Sequence, residues 1–197
     1  MLAYAELFGI LGGLLVLFAF VPYIRSILKR KTVPNVVTWW VWTFATGVLV
    51  VVYLQSSEPS GWTIFLPIVY FFGQGIVALL SLTYGVKEWT RFDVICLIGG
   101  VLSIGLWYVF HSPIPALIAN IAGDFFGALP TIRKTYAHPE SEDAVAWTLG
   151  SLGALATLLA IENVSLFVVI FPLYMFLASG LTAVLALRTY LRPQRHV

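Results

Sequence analysis

Charge is scarce in this chain: Asp, Glu, Lys and Arg make up 10% of 197 residues, where a soluble domain carries about a quarter. So small a supply cannot cover a water-facing surface, which excludes an ordinary soluble protein and, with it, a nucleic-acid binder. Cysteine is nearly absent. Cys96 is the single thiol, so no internal disulfide and no thiolate cluster can form, and its expected role is packing. Histidine is limited to His111, His138 and His196, scattered over loops and tail, which gives neither a metal cluster nor a histidine-activated nucleophile. No lysine falls in the interior of an apolar run, Lys29 and Lys134 standing at run ends, so a Schiff base to an embedded chromophore has no attachment point. The sequence lacks a P-loop, an HExxH and a GxSxG, so nucleotide hydrolysis and embedded proteolysis have no machinery. An enzyme is not expected, and no cofactor is implied.

What the chain has is apolar sequence, 60% of its residues. Crossing about 30 Å of hydrocarbon takes roughly 20 helical residues. Apolar runs between charges and turn signals predict seven such spans, at 4–29, 36–55, 62–85, 93–110, 114–136, 144–161 and 165–188. The first run lacks a basic leader and carries Glu6 early, so it reads as a retained helix rather than a signal peptide. With the N-terminus outside, all eleven Lys and Arg fall on inner segments: Arg25, Lys29, Arg30, Lys31, Lys87, Arg91, Arg133, Lys134, Arg188, Arg192 and Arg195. Basic residues near span ends stay cytoplasmic, so the C-terminus is expected inside and the number of spans odd. The expected location is the cell inner membrane, multi-pass, with the lipid bilayer as partner. Whether two copies pair is left open.

An internal repeat organises these spans. Pro22, Ile24, Arg25 and Trp39 recur 108 residues later as Pro130, Ile132, Arg133 and Trp147, with seventeen residues from proline to tryptophan in both copies. LPIVYFFGQGIVALLSL from Leu66 aligns with FPLYMFLASGLTAVLAL from Phe171, matching Pro67 to Pro172 and Gly75 to Gly180. The expected fold is all-α, with a first triple-helix bundle in 1–88, a linker helix in 89–112, and a second bundle with a basic tail in 113–197. A single linker span lets the two bundles share one orientation, about an axis along the membrane normal, where a solute would sit.

Several residues could carry chemistry. Pro22, Pro130, Pro67 and Pro172 each remove a backbone hydrogen bond where a moving helix needs a hinge, although prolines are also common in membrane helices. Asp124 is the one ionisable side chain set well inside a span, where an unpaired charge costs about 2.5 kcal/mol or more. It could take and release a proton as access alternates, or tie span five to a neighbour as a protonated acid. Asn120 lies one turn earlier on the same face. Gly123 and Gly127 form a small-xxx-small pair, read as packing within one bundle.

Trp39 and Trp147 are paired by the repeat, and could close an inner gate or offer flat faces to a ring-shaped solute. Trp40 and Trp42 are assigned to the interfacial belt. Thr38, Thr43, Thr148 and Ser151 add hydroxyls that can bond to their own backbone. Tyr70, Gln74, Tyr174 and Ser179 are the best polar groups for a pocket with apolar walls. The basic turn Lys29-Arg30-Lys31 is explained by topology, though it would also attract anionic lipid. Glu140, Glu142 and Asp143, with Arg133 and Lys134, read as solvated loop charges rather than an ion-pair gate.

The paired proline hairpins and the 3+1+3 layout resemble the PQ-loop and SWEET transporter superfamily. The phrases KRKTVPNVVTWW and GALPTIRKTYAHPESE are similar to those of a bacterial group of SWEET-like membrane proteins. Tyr23 and Thr131 stand where PQ-loop members carry glutamine, and spans three and seven lack the asparagines of sugar carriers, so a sugar is not carried over. The resemblance implies transport of a small polar solute by alternating access between two triple-helix bundles. Its alternative is a non-transporting receptor of the same fold, as in the KDEL receptors, which bind peptide tails. Nicotinamide riboside carriers share the layout, which makes a nucleoside-like solute conceivable.

Overall fold

Helices account for all the regular structure that a computed structural model describes, over residues 2–55, 64–86, 89–109 and 113–191. They are α1 (Leu2–Leu28), α2 (Val36–Gln55), α3 (Phe65–Tyr84), α4 (Arg91–Val109), α5 (Pro113–Ala137), α6 (Ala144–Leu159) and α7 (Leu166–Leu191), with one 3-10 turn at Pro139–Ser141 and no strand among the described residues. Lys87, His111, Arg192, Arg195 and His196 lie outside those residues, as does the end of the expected fourth span at position 110.

Three helices, Tyr4–Leu28, Phe65–Tyr84 and Leu166–Leu191, are long and apolar enough to cross a membrane, and Val36–Val51 and Ala144–Leu159 are shorter apolar helices. Their outward faces carry Leu7, Leu14, Phe18, Phe72, Leu79 and Leu177, all largely exposed. The polar side chains of Thr38, Thr46, Gln74, Asn120, Asp124 and Ser179 are buried. A soluble domain keeps exposed apolar patches small. The broad exposed apolar faces here suit hydrocarbon outside, with polar side chains turned into the interior.

Helix starts are set by side-chain caps. Asn35 Oδ1 accepts the backbone N–H of Thr38 at 3.1 Å, and Asp143 Oδ1 accepts that of Ala146 at 3.0 Å. Each satisfies one of the first-turn donors that a helix leaves unpaired. At α4, Thr90 and Asp93 cap each other reciprocally: the Asp93 N–H donates to Thr90 Oγ1, while Asp93 Oδ2 accepts the Thr90 N–H and hydroxyl. Asp93 Oδ1 also accepts from Asn35 Nδ2 at 3.1 Å, which ties the start of α4 to the start of α2.

The basic turn after α1 closes in a Schellman geometry. Lys31 N–H reaches Ser26 O and Arg30 N–H reaches Ile27 O, with Arg30 at a positive φ of 57°. The guanidinium of Arg30 lies 5.4 Å above the Tyr84 ring, so the turn packs onto the end of α3.

In space, α3 touches both α1 and α2, and α7 touches both α5 and α6. The two sets meet along α1 against α6 and α2 against α5, while α4 lies on α5 and reaches α2. Glycines permit both meetings. A Cβ added at Gly12 would fall 2.8 Å from the Gly153 carbonyl oxygen, and one at Gly153 would fall 2.8 Å from that of Gly12. A Cβ at Gly127 would come within 3.0 Å of the Trp42 and Val41 side chains on α2. Gly127 of α5 therefore seats α2. Its missing side chain serves the contact with α2 rather than one with α6 or α7, because Trp42 and Val41 occupy the space where that side chain would stand.

Candidate functional site

Helical spacing selects the face that each element turns inward. On α1 the inward residues are Val16, Ala19, Phe20 and Tyr23, and on α7 they are Met175, Ala178, Ser179 and Thr182. Both sets follow the i, i+3, i+4, i+7 rule of one helical face. With Trp39 and Trp42 of α2, Tyr70 and Gln74 of α3, Asp124 of α5, and Trp147 and Gly150 of α6, they enclose a cavity of about 50 Å³ where the two helix sets meet. That is room for a few waters or a very small solute. Small residues make the space. A side chain at Gly150 would begin 3.7 Å from Tyr70 Oη and 3.8 Å from Ser179 Oγ, so a larger residue would fill the region those hydroxyls border.

Six of the residues expected at a site line this cavity: Trp39, Trp147, Tyr70, Gln74, Asp124 and Ser179. Asp124 is 3% exposed, and its Oδ2 accepts a 2.6 Å hydrogen bond from the Tyr174 hydroxyl. Tyr174 therefore acts from behind, holding the carboxyl without lining the cavity. Asn120 is turned elsewhere. Its Nδ2 donates to the Ala45 carbonyl at 2.6 Å, joining α5 to α2. Asn120→Leu should lower thermal stability by about 1 to 2 kcal/mol, the usual cost of a lost buried hydrogen bond, without altering ligand affinity. Thermal unfolding compared with ligand titration checks both halves.

The four prolines fall in two settings. Pro22, Pro130 and Pro172 are inside helices, where each frees the carbonyl one turn back. Pro67 is the third residue of α3, in the first turn, where an N–H has no intrahelical acceptor to lose. It interrupts nothing there. Beside Pro130, the Thr131 hydroxyl donates to Thr38 Oγ1 at 3.1 Å, a second tie between α5 and α2.

One end of the cavity, on the side of the basic turn, is closed by aromatic rings. Tyr23 and Trp39 have centroids 5.0 Å apart, Trp39 and Trp42 5.2 Å, Trp42 and Trp147 5.9 Å, and Tyr23 and Trp147 6.0 Å. Behind the rings sits Glu142, with none of its side chain exposed. Its Oε2 accepts from Tyr23 Oη at 2.8 Å and from Trp147 Nε1 at 2.9 Å, and its Oε1 meets Lys134 Nζ at 2.6 Å. Lys134 also donates to the Val33 carbonyl. Glu142 is thus a buried hub joining α1, α5 and α6, not a solvated loop charge, because three donors replace the water it would lose.

Trp42 also departs from expectation. It is 7% exposed and donates from Nε1 to the Asp124 carbonyl oxygen at 2.8 Å, so it belongs to the interior and not to an interfacial belt. Its position three residues after Trp39 puts both rings on one face, a spacing visible in the sequence. Phe20 and Tyr23 had the same kind of signal, one and four residues after Ala19 on the inward face of α1.

Three buried polar atoms on the residues lining this cavity complete no hydrogen bond of ordinary geometry, Trp39 Nε1, Tyr70 Oη and Gln74 Oε1, with Tyr23 beside Trp39 and Ser179 beside Tyr70 as their neighbours. Buried polar groups are nearly always paired, so three at one site call for waters or a ligand. Their chemistry is mixed, since an indole N–H only donates, an amide oxygen only accepts, and a phenol does both. Among the described residues no three His, Cys, Asp or Glu side chains gather into a metal-holding group. The site is therefore equipped for polar recognition between aromatic walls. No protein-family model, curated protein or solved structure matches the chain.

Proposed function

We propose that the protein is a seven-span carrier of the inner membrane that moves a small polar solute by alternating access between two triple-helix bundles. In this reading α1–α3 and α5–α7 are the bundles, α4 is the linker, and the N-terminus lies outside. The observation that carries it is the cavity at the meeting of the two helix sets, with the Asp124 carboxyl and three unpaired polar atoms on its walls. A repeat transporter holds its solute at that position. The caps at Asn35 and Asp143 stand 108 positions apart, like Pro22 and Pro130, which supports the repeat. The ring-and-Glu142 closure is the inner gate. Pro22, Pro130 and Pro172 are hinges of the rocking motion, and Asp124 couples it to a proton.

Reconstitution in liposomes tests the reading by solute counterflow. Asp124→Asn should abolish uptake driven by a pH gradient, a loss of at least about tenfold, while exchange of solute for solute continues. Driven uptake that persists unchanged in this variant would refute the coupling. Saturable binding with no counterflow would leave a receptor in place of a carrier.

A further inference from the structure

Building on the carrier reading of the same cavity, we propose that the solute is a small organic monocation bearing one acceptor oxygen, of the amino-alcohol class, with its ammonium set on Asp124.

Charge makes the first selection. Asp124 is the one carboxyl on the cavity wall, and no Lys, Arg or His side chain lines it among the described residues. Lys134, the cation of the Glu142 network, is already committed to Glu142 and the Val33 carbonyl. An anion would thus enter beside a carboxyl with nothing to offset it, whereas a cation supplies the partner that a buried carboxylate requires. Aromatic side chains reinforce the choice, because Phe20, Tyr23, Trp39 and Trp42 line the same cavity and a ring face attracts an ammonium.

The unpaired atoms make the second. Gln74 Oε1 can only accept, and it suits a second N–H of the ammonium. Trp39 Nε1 can only donate, and it calls for an oxygen on the solute. Tyr70 Oη can serve either group. An alkylammonium without oxygen would leave the indole unsatisfied, and a neutral diol would leave the carboxyl without its counter-charge. Ammonium and hydroxyl together answer every vacant partner in a space of this size.

Coupling follows from the same geometry. Tyr174 from α7 donates to Asp124, and the other residues of the cavity wall with ionisable side chains are Tyr70 from α3 and Tyr23 from α1, while α2 and α6 present tryptophans. None of these contributes a fixed positive charge. The carboxyl is neutralised by one charge at a time, either a proton from water or the ammonium, so binding of the cation releases the proton and the exchange is one for one.

The experiment uses the purified full chain and measures binding by calorimetry for ethanolamine, ethylammonium, ethylene glycol and glycolate. Ethanolamine should saturate, with ethylene glycol and glycolate at least about tenfold weaker. Ethylammonium should fall about fivefold below ethanolamine, the worth of one neutral hydrogen bond, and that difference should vanish in Trp39→Phe. Ethanolamine should bind more tightly at neutral than at acidic pH, a range over which it stays charged itself, and Asp124→Asn should lose the affinity. Equal or tighter binding of the glycol or glycolate, an unchanged affinity in Asp124→Asn, or no amine binding to folded protein would overturn the proposal. Should Asp124→Asn fail to fold, the pH trend and the Trp39→Phe comparison decide it on wild-type architecture. Ethanolamine that binds without counterflow would sink the carrier reading alone. Counterflow of the glycol, with no ethanolamine bound, would sink the cation site alone.

Discussion

Glu142→Leu should lower the stability of the folded protein by about 3 kcal/mol or more, the largest loss expected from any single polar residue among those described. The carboxylate is fully buried and accepts from Tyr23 Oη and Trp147 Nε1, besides pairing with Lys134 Nζ at 2.6 Å. Leucine would strand all three donors, each with a desolvation cost of about 1 to 3 kcal/mol when nothing replaces the acceptor. The ammonium suffers less than the other two, because the Lys134 side chain is 14% exposed and keeps the Val33 carbonyl. Glu142→Gln retains an acceptor for Tyr23 or Trp147 and should fall between leucine and the parent. Pairing Glu142→Leu with Lys134→Met removes the orphaned charge but leaves Tyr23 Oη and Trp147 Nε1 without an acceptor, so it should recover less than about a third of the loss. Thermal unfolding of the four proteins in one detergent reads this series. An unchanged melting point in Glu142→Leu would mean that the network contributes nothing to holding α1, α5 and α6 together. The same variant loosens the ring closure at the end of the cavity, so under the proposed carrier function it should raise passive solute leak in liposomes even where folded protein survives.

Much of the helical frame can be read directly from the sequence, because hydrocarbon imposes a length and an apolarity that show up as composition. Six of the eight expected pocket residues line the cavity for a related reason: a polar or aromatic side chain at membrane depth must turn inward to find partners. Asn120 obeys that rule too. Its partner is the Ala45 carbonyl, however, and no one-dimensional pattern distinguishes a backbone acceptor on another helix from a solute. Glu142 was illegible for the opposite reason. It stands among Glu140, Asp143 and His138 in a turn whose composition is that of a solvated loop, and only the folding of the 3-10 turn at Pro139–Ser141 brings it under Tyr23 and Trp147. Trp42 was obscured by a habit of membrane tryptophans, which gather at interfaces. Its burial depends on Gly127, whose missing side chain admits the indole against α5. Contacts between residues 85 positions apart are decided by packing, and a local pattern carries no trace of them.

Gly12→Val should separate α1 from α6 and cost about 1 to 3 kcal/mol or more, the range for atoms forced into a filled interior. A Cβ at Gly12 would lie 2.4 Å from Thr157 Oγ1 and 2.8 Å from the Gly153 carbonyl oxygen. Thr157 could rotate its hydroxyl away, although that would break its bond to the Gly153 carbonyl. The carbonyl itself belongs to helix backbone, so relief requires the helices to part. Gly153 presents the reciprocal clash, 2.6 Å to Val16 Cγ2 and 2.8 Å to the Gly12 carbonyl oxygen, and Gly153→Val should match Gly12→Val in effect. Gly13 supplies the control. Its added Cβ would meet only Phe65 Cβ at 3.6 Å, an ordinary contact, so Gly13→Ala should be within about 0.5 kcal/mol of the parent. The consequence reaches the cavity, because Val16 stands on its wall and the Gly12–Gly153 crossing fixes how deeply α1 seats beside Trp147 and Gly150. A bulkier residue at the crossing should therefore weaken ligand binding in parallel with stability, while an Asn120→Leu protein of equal stability should bind normally. Unfolding and binding measured on Gly12→Val, Gly153→Val, Gly13→Ala and Asn120→Leu separate the two effects: a Gly12→Val protein as stable as Gly13→Ala would show that the close crossing is not maintained in the membrane.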